Sequence, residues 1–338
     1  MRNYAFISLS ALKSNAEEIK KHLSPTTKFC AVVKADAYGH GAEKCANALY
    51  PLCDSFAVAI VEEGIRLRLS GIDKDILVLT PPFTEDLCLA IENRLTLTAE
   101  SLDGIRKIES VARNMGNRVK VHIKYDTGMR RFGVKDSDGI KAMLDFCADK
   151  SAIEVDGIYT HLFNPTDDKV REKQIGKFLL ANKLVKDYNK NITAHVSASA
   201  GYLFGLEFDM VRIGLLLYGY KPFLSDKVSV KPVMKVYSPV IKEVCLKKGD
   251  NALYGERTAK KDENAFLVRY GYADGLPRAE YEEIFNDRCM DVSLYRGENN
   301  GKFFCVMKNA DKLAEKYGTI SYEILVRVGL RAERIYLN

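Results

Sequence analysis

AVVKADAYGHG, residues 31–41, is the stretch that decides how this chain is organised. Together with Phe29 and Cys30 it begins with a short apolar run, which predicts a buried β-strand. The strand delivers Lys34 at its C-terminal end, and Tyr38 and two glycines follow. A buried ammonium group is costly without a partner, so this lysine is poorly placed for a structural role. A desolvated lysine loses its proton readily and can form a Schiff base, so the run predicts chemistry at Lys34.

The first two-thirds of the chain repeats a pattern of one short apolar strand and one amphipathic helix. The predicted strands are Phe29–Lys34, Ser55–Ile60, Ile76–Thr80, Leu95–Thr98, Val119–Tyr125, Val155–His161, Thr193–Ser197 and Met210–Ile213. The predicted helices between them include Ala42–Leu49, Glu62–Ser70, Glu100–Asn114, Asp138–Asp149 and Lys169–Tyr188. Eight such repeats favour a TIM (β/α)8 barrel over an open, doubly wound sheet.

The remainder of the chain changes to short β-type runs separated by turn signals. The predicted strands here are Lys235–Val244, Ala265–Tyr270, Met290–Leu294, Lys302–Met307 and Ile324–Val328, with one helix at Ala310–Tyr317. Pro222 and Pro232 flank a boundary between the two patterns. The sequence therefore predicts an α/β protein with an N-terminal TIM barrel in residues 1–228 and a mainly β C-terminal domain in residues 229–338.

The amino-acid composition limits the classes of function that the protein is expected to have. The net charge of +6 over 338 residues is modest, and basic residues alternate with acidic ones, so no nucleic-acid-binding surface is expected. Eight cysteines occur without a CxxC pair, and Cys30 and Cys245 lie in apolar strands. This pattern predicts buried thiols in a reducing compartment, with no disulfide framework and no metal site. No apolar run has transmembrane length and no signal peptide is evident, so we expect a cytoplasmic protein that does not bind membranes.

Several polar residues that can take part in catalysis or binding lie at the C-terminal ends of the predicted barrel strands. Barrel enzymes have their active sites at this end of the barrel. The residues are Lys34 after the first strand, Arg131 after the fifth, His161 at the sixth, Ser197 and Ser199 at the seventh and Arg212 at the eighth. Each alone has a structural explanation, such as a buried histidine, an exposed arginine pair or a helix cap. Their common location at one rim indicates an active site.

Several motifs resemble those of alanine racemases, in order and over nearly the whole chain. They are KADAYGHG (34–41), KYDTGMRRFG (124–133), GIYTH (157–161), HVSAS (195–199), MVRIG (210–214), LYG (253–255), GYADG (271–275) and CMD (289–291). The resemblance implies racemisation of L-alanine and D-alanine with pyridoxal 5'-phosphate (PLP) as cofactor. It also implies a homodimer with shared active sites and a role in supplying D-alanine for cell-wall peptidoglycan.

The resemblance further implies a role for each matching residue. Lys34 would hold PLP covalently and act as one catalytic base, and the partner's Tyr254 would act as the other. The PLP phosphate would contact Tyr38, Ser199, Gly214 and Leu215, and the pyridine nitrogen would face Arg212. His161 would flank the ring and orient Arg212 or Tyr254. Arg131 and the Met290 backbone would bind the substrate carboxylate, and Lys124 matches a lysine that is carbamylated in several relatives.

The chain departs from the family pattern at a few places. Arg130 stands where relatives commonly have glycine, Ala198 where asparagine is common, and Leu330 where some have a tyrosine. The segment Leu162–Pro165 also differs from the usual small residues. These departures bear on substrate preference and on access to the site.

Three alternatives remain open at this stage. A racemase acting on serine, lysine or ornithine fits the same residues. An amino acid decarboxylase would share the barrel and β domain, but such enzymes carry a triple-glycine phosphate loop, and this chain has no Gly-Gly-Gly. A non-catalytic PLP carrier would end with the barrel, whereas this chain continues through Tyr254 and Met290.

Overall fold

A computed structural model describes residues 2–278, 284–299 and 301–338 of the chain. The strands are β1 (Tyr4–Ser8), β2 (Lys28–Val32), β3 (Ser55–Val58), β4 (Ile76–Val78), β5 (Thr96–Ala99), β6 (Val119–Lys124), β7 (Ile153–Tyr159), β8 (Thr193–His195), β9 (Met210–Ile213), β10 (Met234–Leu246), β11 (Glu263–Val268), β12 (Ser293–Arg296), β13 (Phe303–Met307) and β14 (Glu333–Leu337). The α-helices are Leu9–Lys21, Ala42–Leu49, Val61–Leu69, Leu87–Glu92, Leu102–Asn114, Ser137–Cys147, Asp168–Tyr188, Ser199–Leu203, Ala310–Tyr317 and Ser321–Val328.

Strands β2 to β9 form an eight-stranded parallel sheet in the order β8-β7-β6-β5-β4-β3-β2-β9. The two ends of this sheet meet, because the amides of Asp209 and Arg212 donate to the carbonyls of Ala194 and Ser197. The sheet is thus a barrel, as the eight βα repeats predict. Its strands are buried on both faces, as in parallel sheets covered by helices.

The barrel helices show how local sequence fixes each element. Helix Leu102–Asn114 begins after Ser101, whose hydroxyl accepts a hydrogen bond from the amide of Gly104. Ile105, Ile108 and Ala112 are buried at helical spacing along one face. The carboxylates of Asp136 and Asp167 cap the two following long helices in the same way.

A second sheet has the order β12-β11-β10-β1-β14, and β13 also pairs with β10. Its pairings are antiparallel except between β1 and β14. The mainly β C-terminal part of the fold is therefore confirmed, but its sheet includes a strand from the start of the chain. One apolar cluster under this sheet contains Leu246, Ala259, Ala265, Phe285 and Leu294.

The described chain divides into two compact units. One holds the residues up to Leu12, the segment Tyr38–Gly41 and the chain from Lys231 onward. The other holds Lys13–Ala37 and Ala42–Val230. A division into a barrel domain of residues 1–228 and a β domain of residues 229–338 remains our proposal.

All eight predicted barrel strands are present, with ends that differ by at most two residues. The predicted strand Ile324–Val328 is wrong, because this segment belongs to helix Ser321–Val328. Its buried residues Ile324, Leu325 and Val328 lie on one helical face. Strands β1 and β14 were not predicted. Cys245 lies in β10 as expected but is exposed rather than buried, and none of the cysteines in the described residues forms a disulfide.

A helix that crosses a bilayer needs about 20 consecutive, mostly apolar residues. Within the part of the chain that the structure describes, none of the helices is both long enough and apolar enough to cross a membrane.

Candidate active site

Lys34 follows β2 after one intervening residue, Val33, and an unusual backbone turn begins at the next residue. Ala35, Asp36, Ala37 and Tyr38 all have φ between 51° and 54°, so the chain makes one left-handed helical turn. Each non-glycine residue in this conformation costs roughly 1–2 kcal/mol. Such strain persists only where the surroundings over-determine the geometry, which is common at functional sites.

Side-chain carboxylates hold this turn in place. Glu63, in the first turn of helix Val61–Leu69, accepts hydrogen bonds from the amides of Ala35 at 2.6 Å and Ala59 at 2.7 Å. Asp36 accepts a hydrogen bond from the amide of Ala42 at 2.8 Å. The position of Lys34 is therefore fixed from both sides of the turn.

The surroundings of Lys34 lower the pKa of its amine and so favour loss of a proton. Burial is the largest cause that lowers its pKa, and the positive charges of Arg131 and Arg212 lower it further. The carboxylate of Glu63 acts in the opposite direction and raises the pKa. A larger share of neutral amine makes Lys34 a better nucleophile and base.

Arg212, in β9, is buried in a shell of acceptors. Its Nη1 donates to Nδ1 of His195 at 2.6 Å and to the His195 carbonyl at 3.1 Å. Its Nη2 donates to the carbonyls of Thr160 at 2.8 Å and Val196 at 3.0 Å. Burial lowers the pKa of Arg212 to about 10, so the guanidinium stays charged at neutral pH. None of these bonds to the described residues uses Nε.

His195 begins a polar chain that sequence reasoning missed. Because its Nδ1 accepts from Arg212, its Nε2 carries the proton and donates to Nδ1 of His122 at 2.9 Å. His122 Nε2 in turn donates to Asp156 at 3.3 Å. Burial, followed by the charge of Arg212, lowers the pKa of His195 far below its ordinary value, so this imidazole is neutral. The only sequence signal was the position of His195 within the predicted strand Thr193–Ser197.

His161 lies at the same rim, after β7. Burial and the charges of Arg212 and Arg131 lower its pKa to about 3, so it is neutral over the physiological range. Its carbonyl accepts a hydrogen bond from Gln174, whose amide also donates to Thr127 at 3.0 Å. The imidazole that contacts Arg212 is that of His195, so a role of His161 toward Arg212 or Tyr254 remains a proposal.

Two more cations of this unit were expected in the site. Lys124 is buried, donates to the carbonyl of Tyr125 at 2.9 Å and lies 5.4 Å from the centre of the Tyr159 ring. Burial lowers its pKa to about 7. Arg131 is exposed and stacks on Phe132. Its neighbour Arg130 has a φ of 56°, a region that glycine adopts more easily.

The end of β9 offers an anion-binding arrangement. The hydroxyl of Ser199 is 3.3 Å from the Gly214 amide and 3.5 Å from the Leu216 amide, each of which can donate to it. A short 3-10 helix, Leu215–Tyr218, follows Gly214. Backbone amides and a hydroxyl of this kind suit a phosphate group.

Tyr38, Tyr254 and Met290 belong to the other unit. Tyr38 is buried, and its pKa is raised by burial. Tyr254 and Met290 are 66% and 54% exposed, although both are large apolar or aromatic side chains. Exposure of this kind is typical of residues that meet a partner.

Comparison with known proteins identifies relatives over the whole length. Residues 7–222 match the family model "Alanine racemase, N-terminal domain", and residues 233–336 match "Alanine racemase, C-terminal domain". An alanine racemase of Streptococcus uberis is 32% identical over 99% of this chain and 97% of its own. The solved alanine racemase of Clostridium difficile 630 superposes with a TM-score of 0.94 at 30% identity, covering 100% of this chain and 96% of its own. The alanine racemase of Bacillus anthracis with bound L-Ala-P has a TM-score of 0.90 at 27% identity, covering 100% of this chain and 95% of its own.

Proposed function

We propose, from the premise that this chain belongs to the alanine racemase family, that it interconverts L-alanine and D-alanine with two bases and PLP. As a racemase it is an isomerase. The observation that carries the proposal is Lys34, whose pKa is lowered and which lies between the first barrel strand and the left-handed turn of residues 35–38.

The residues present suit PLP. Lys34 supplies an amine for covalent attachment, whose pKa burial lowers, and Ser199 with the amides near Gly214 supplies donors for a phosphate. Tyr38 and Leu215 complete the phosphate contacts in our proposal. When bound, PLP withdraws electrons from Cα of an amino acid and so acidifies its α-proton.

Two proton-transfer groups are needed, because inversion requires a proton to leave one side of Cα and arrive on the other. We assign one to the amine of Lys34, because burial and Arg131 lower its pKa and so increase the share of neutral amine that can accept a proton. We assign the other to the phenol of the partner's Tyr254. The exposure of Tyr254 on its own chain supports this assignment.

Arg212 sets the electronic behaviour of the site. With Nη1 and Nη2 engaged by the described residues, Nε is the donor we assign to the pyridine nitrogen. A guanidinium does not give up its proton readily, so Arg212 would leave that nitrogen unprotonated. The ring would then withdraw electrons less strongly, which would suppress side reactions such as transamination.

Arg131 and the Met290 backbone bind the substrate carboxylate in our proposal. Lys124, whose pKa of about 7 provides neutral amine, is suited to carbamylation. The carbamate would place a negative charge among the cations Arg131 and Arg212. We further propose a cytoplasmic homodimer that supplies D-alanine for peptidoglycan.

Substrate choice and reaction class are tested together by incubating the purified holoenzyme with single L-amino acids in deuterium oxide. An alanine racemase incorporates deuterium at Cα of alanine and destroys its chirality. Preference for serine, lysine or ornithine would assign another substrate, an amine product would identify a decarboxylase, and absence of exchange with every amino acid would identify a carrier.

The shared site is tested by mixing Lys34→Ala and Tyr254→Phe proteins after mild dissociation. Each variant alone should be nearly inactive. Random exchange makes about half of the dimers mixed, and each mixed dimer has one intact site, so about a quarter of wild-type activity should return. No recovery, with subunit exchange shown independently, would mean that Tyr254 serves its own chain.

A further inference from the structure

The loop that carries Tyr254, residues 251–257, has an unusual backbone. Leu253 has a φ of 59°, which is rare for a bulky residue, and Gly255 has a φ of 142°. The carbonyl of Tyr254 accepts a hydrogen bond from the amide of Asp287 at 3.1 Å. Local sequence preference does not favour this shape, so contacts from outside the loop must stabilise it.

Asn286 supplies those contacts. Its side chain is fully buried, with 0% exposure. Its Oδ1 accepts from the amide of Arg257 at 3.0 Å. Its Nδ2 lies within hydrogen-bond distance of Asn251 Oδ1 at 3.0 Å, the Ala252 carbonyl at 2.7 Å and the Arg257 carbonyl at 3.2 Å. One amide group thus fixes both ends of the loop around Tyr254.

The loop and Asn286 also fit each other sterically. A Cβ on Gly255 would lie 2.6 Å from Asn286 Oδ1, closer than van der Waals contact allows. Asn286 itself has a φ of 61°, a conformation that asparagine tolerates better than most residues. The pair therefore requires a small residue at 255 and an amide at 286.

We propose that Asn286 is a positioning residue that fixes the orientation of Tyr254 for proton transfer. The inference rests on the proposed function, in which the partner's Tyr254 is one of the two bases. A carboxylate, an aliphatic side chain or a glycine at 286 would leave the carbonyls of the loop without their donor, and the loop would lose its single conformation.

The test compares Asn286→Asp and Asn286→Gly with Asn264→Asp, all as the full-length holoenzyme. Aspartate and glycine both tolerate the backbone at 286, so neither change introduces new strain there. Asn264 is an exposed residue of β11 whose side chain donates one hydrogen bond to Glu298, and it serves as the matched control.

Two readouts are required. Amide hydrogen exchange in residues 251–258 should rise at least tenfold in both Asn286 variants, with β10 and β11 unchanged, and should not rise in the control. Racemisation should fall at least tenfold, mainly in kcat. The enantiomer that is deprotonated by Lys34 should still exchange its α-proton in deuterium oxide while it no longer inverts.

Two results would overturn the proposal. If Asn286 had a purely structural role, exchange of the α-proton would fall equally for both enantiomers. If Asn286 did not hold the loop, the loop amides would stay protected in both variants. If both Asn286 variants fail to fold, Gly255→Ala approaches the same contact from the loop. It should lower kcat and raise amide exchange in residues 251–258, whereas Gly249→Ala, at a positive-φ glycine with nothing near its Cβ position, should do neither, and equal effects of the two variants would contradict the proposal.

Tyr254→Phe separates this inference from the proposed function. If that variant racemises alanine normally, the role of Tyr254 fails whatever Asn286 does. If Tyr254→Phe is inactive while Asn286→Asp keeps full kcat and a protected loop, only the positioning role of Asn286 is overturned.

Discussion

Replacing Glu63 by glutamine should destabilise the barrel unit by about 2–4 kcal/mol, because the carboxylate accepts two backbone hydrogen bonds with its two oxygens. A hydrogen bond to a charged group contributes about 1.5–3 kcal/mol. Glutamine keeps one acceptor oxygen, but its amide nitrogen would meet the amide of Ala35 or Ala59 as donor against donor. The four left-handed residues cost roughly 4–8 kcal/mol together, so Glu63 offsets a substantial part of that strain.

The assay is urea unfolding of the apoprotein, with Glu62→Gln as the control. Glu62 is the exposed neighbour of Glu63, and its replacement should change stability by less than about 0.5 kcal/mol. A second readout is the pH dependence of acylation of Lys34, followed by mass spectrometry. Because Glu63 raises the pKa of Lys34, its removal should shift that profile to lower pH. Equal stability of the two variants, together with an unchanged Lys34 profile, would refute the reasoning.

Three further predictions follow from particular contacts. His161 has a pKa of about 3 in the fold against an ordinary 6.5, so the unfolded chain binds the extra proton between these values and stability should fall as pH drops from 6.5 toward 3. Unfolding of apo His161→Gln should show a weaker pH dependence there, and the same slope would contradict the assignment. His195→Leu, which removes the acceptor of Arg212 Nη1, should lower kcat/KM about ten- to a hundredfold, since a lost buried partner costs about 1–3 kcal/mol. His195→Asn keeps a side-chain acceptor and should lose less; equal kinetics of the two variants would show that this contact is unimportant. Gly39→Ala should destabilise the protein far more than Gly71→Ala in thermal unfolding. Both glycines have positive φ, but only a Cβ at Gly39 would overlap the Leu325 carbonyl. Similar losses in the two variants would mean that backbone strain, and not this overlap, determines the loss of stability.

The barrel could be predicted from sequence because its strands are short, continuous apolar runs, which can be recognised without knowing which residues elsewhere in the chain they contact. The same holds for part of the rim: Lys34, His161 and Arg212 each lie at the end of such a predicted run, and the structure brings them within electrostatic reach of one another. The chain order of strands was sufficient to group them, since parallel neighbours place their C-terminal ends on one edge.

Other features depend on information that a local pattern lacks. The segment Ile324–Val328 is rich in β-branched and apolar residues, but its buried positions follow helical spacing, and tertiary packing overrides strand propensity. The polar chain from His195 to Asp156 joins three different barrel strands or their ends, so no spacing in the sequence reveals it. The left-handed turn after Lys34 was also unforeseen, because alanine and tyrosine have no preference for positive φ.

The position of β1 has a consequence for the order in which the chain folds during synthesis. Tyr4 lies beside Tyr237 of β10 and Glu333 of β14, so β1 is paired only with strands that are made much later. At ribosomal rates β14 emerges roughly 330 residues later, after about 15–70 s. The barrel strands β2 to β9 can assemble before β10 emerges, whereas the backbone of β1 has neither of its sheet partners until then. We therefore expect nascent chains stalled before β10 to contain a protected barrel and an unprotected β1, a vectorial folding order set by the sheet that joins β1 to β10 and β14.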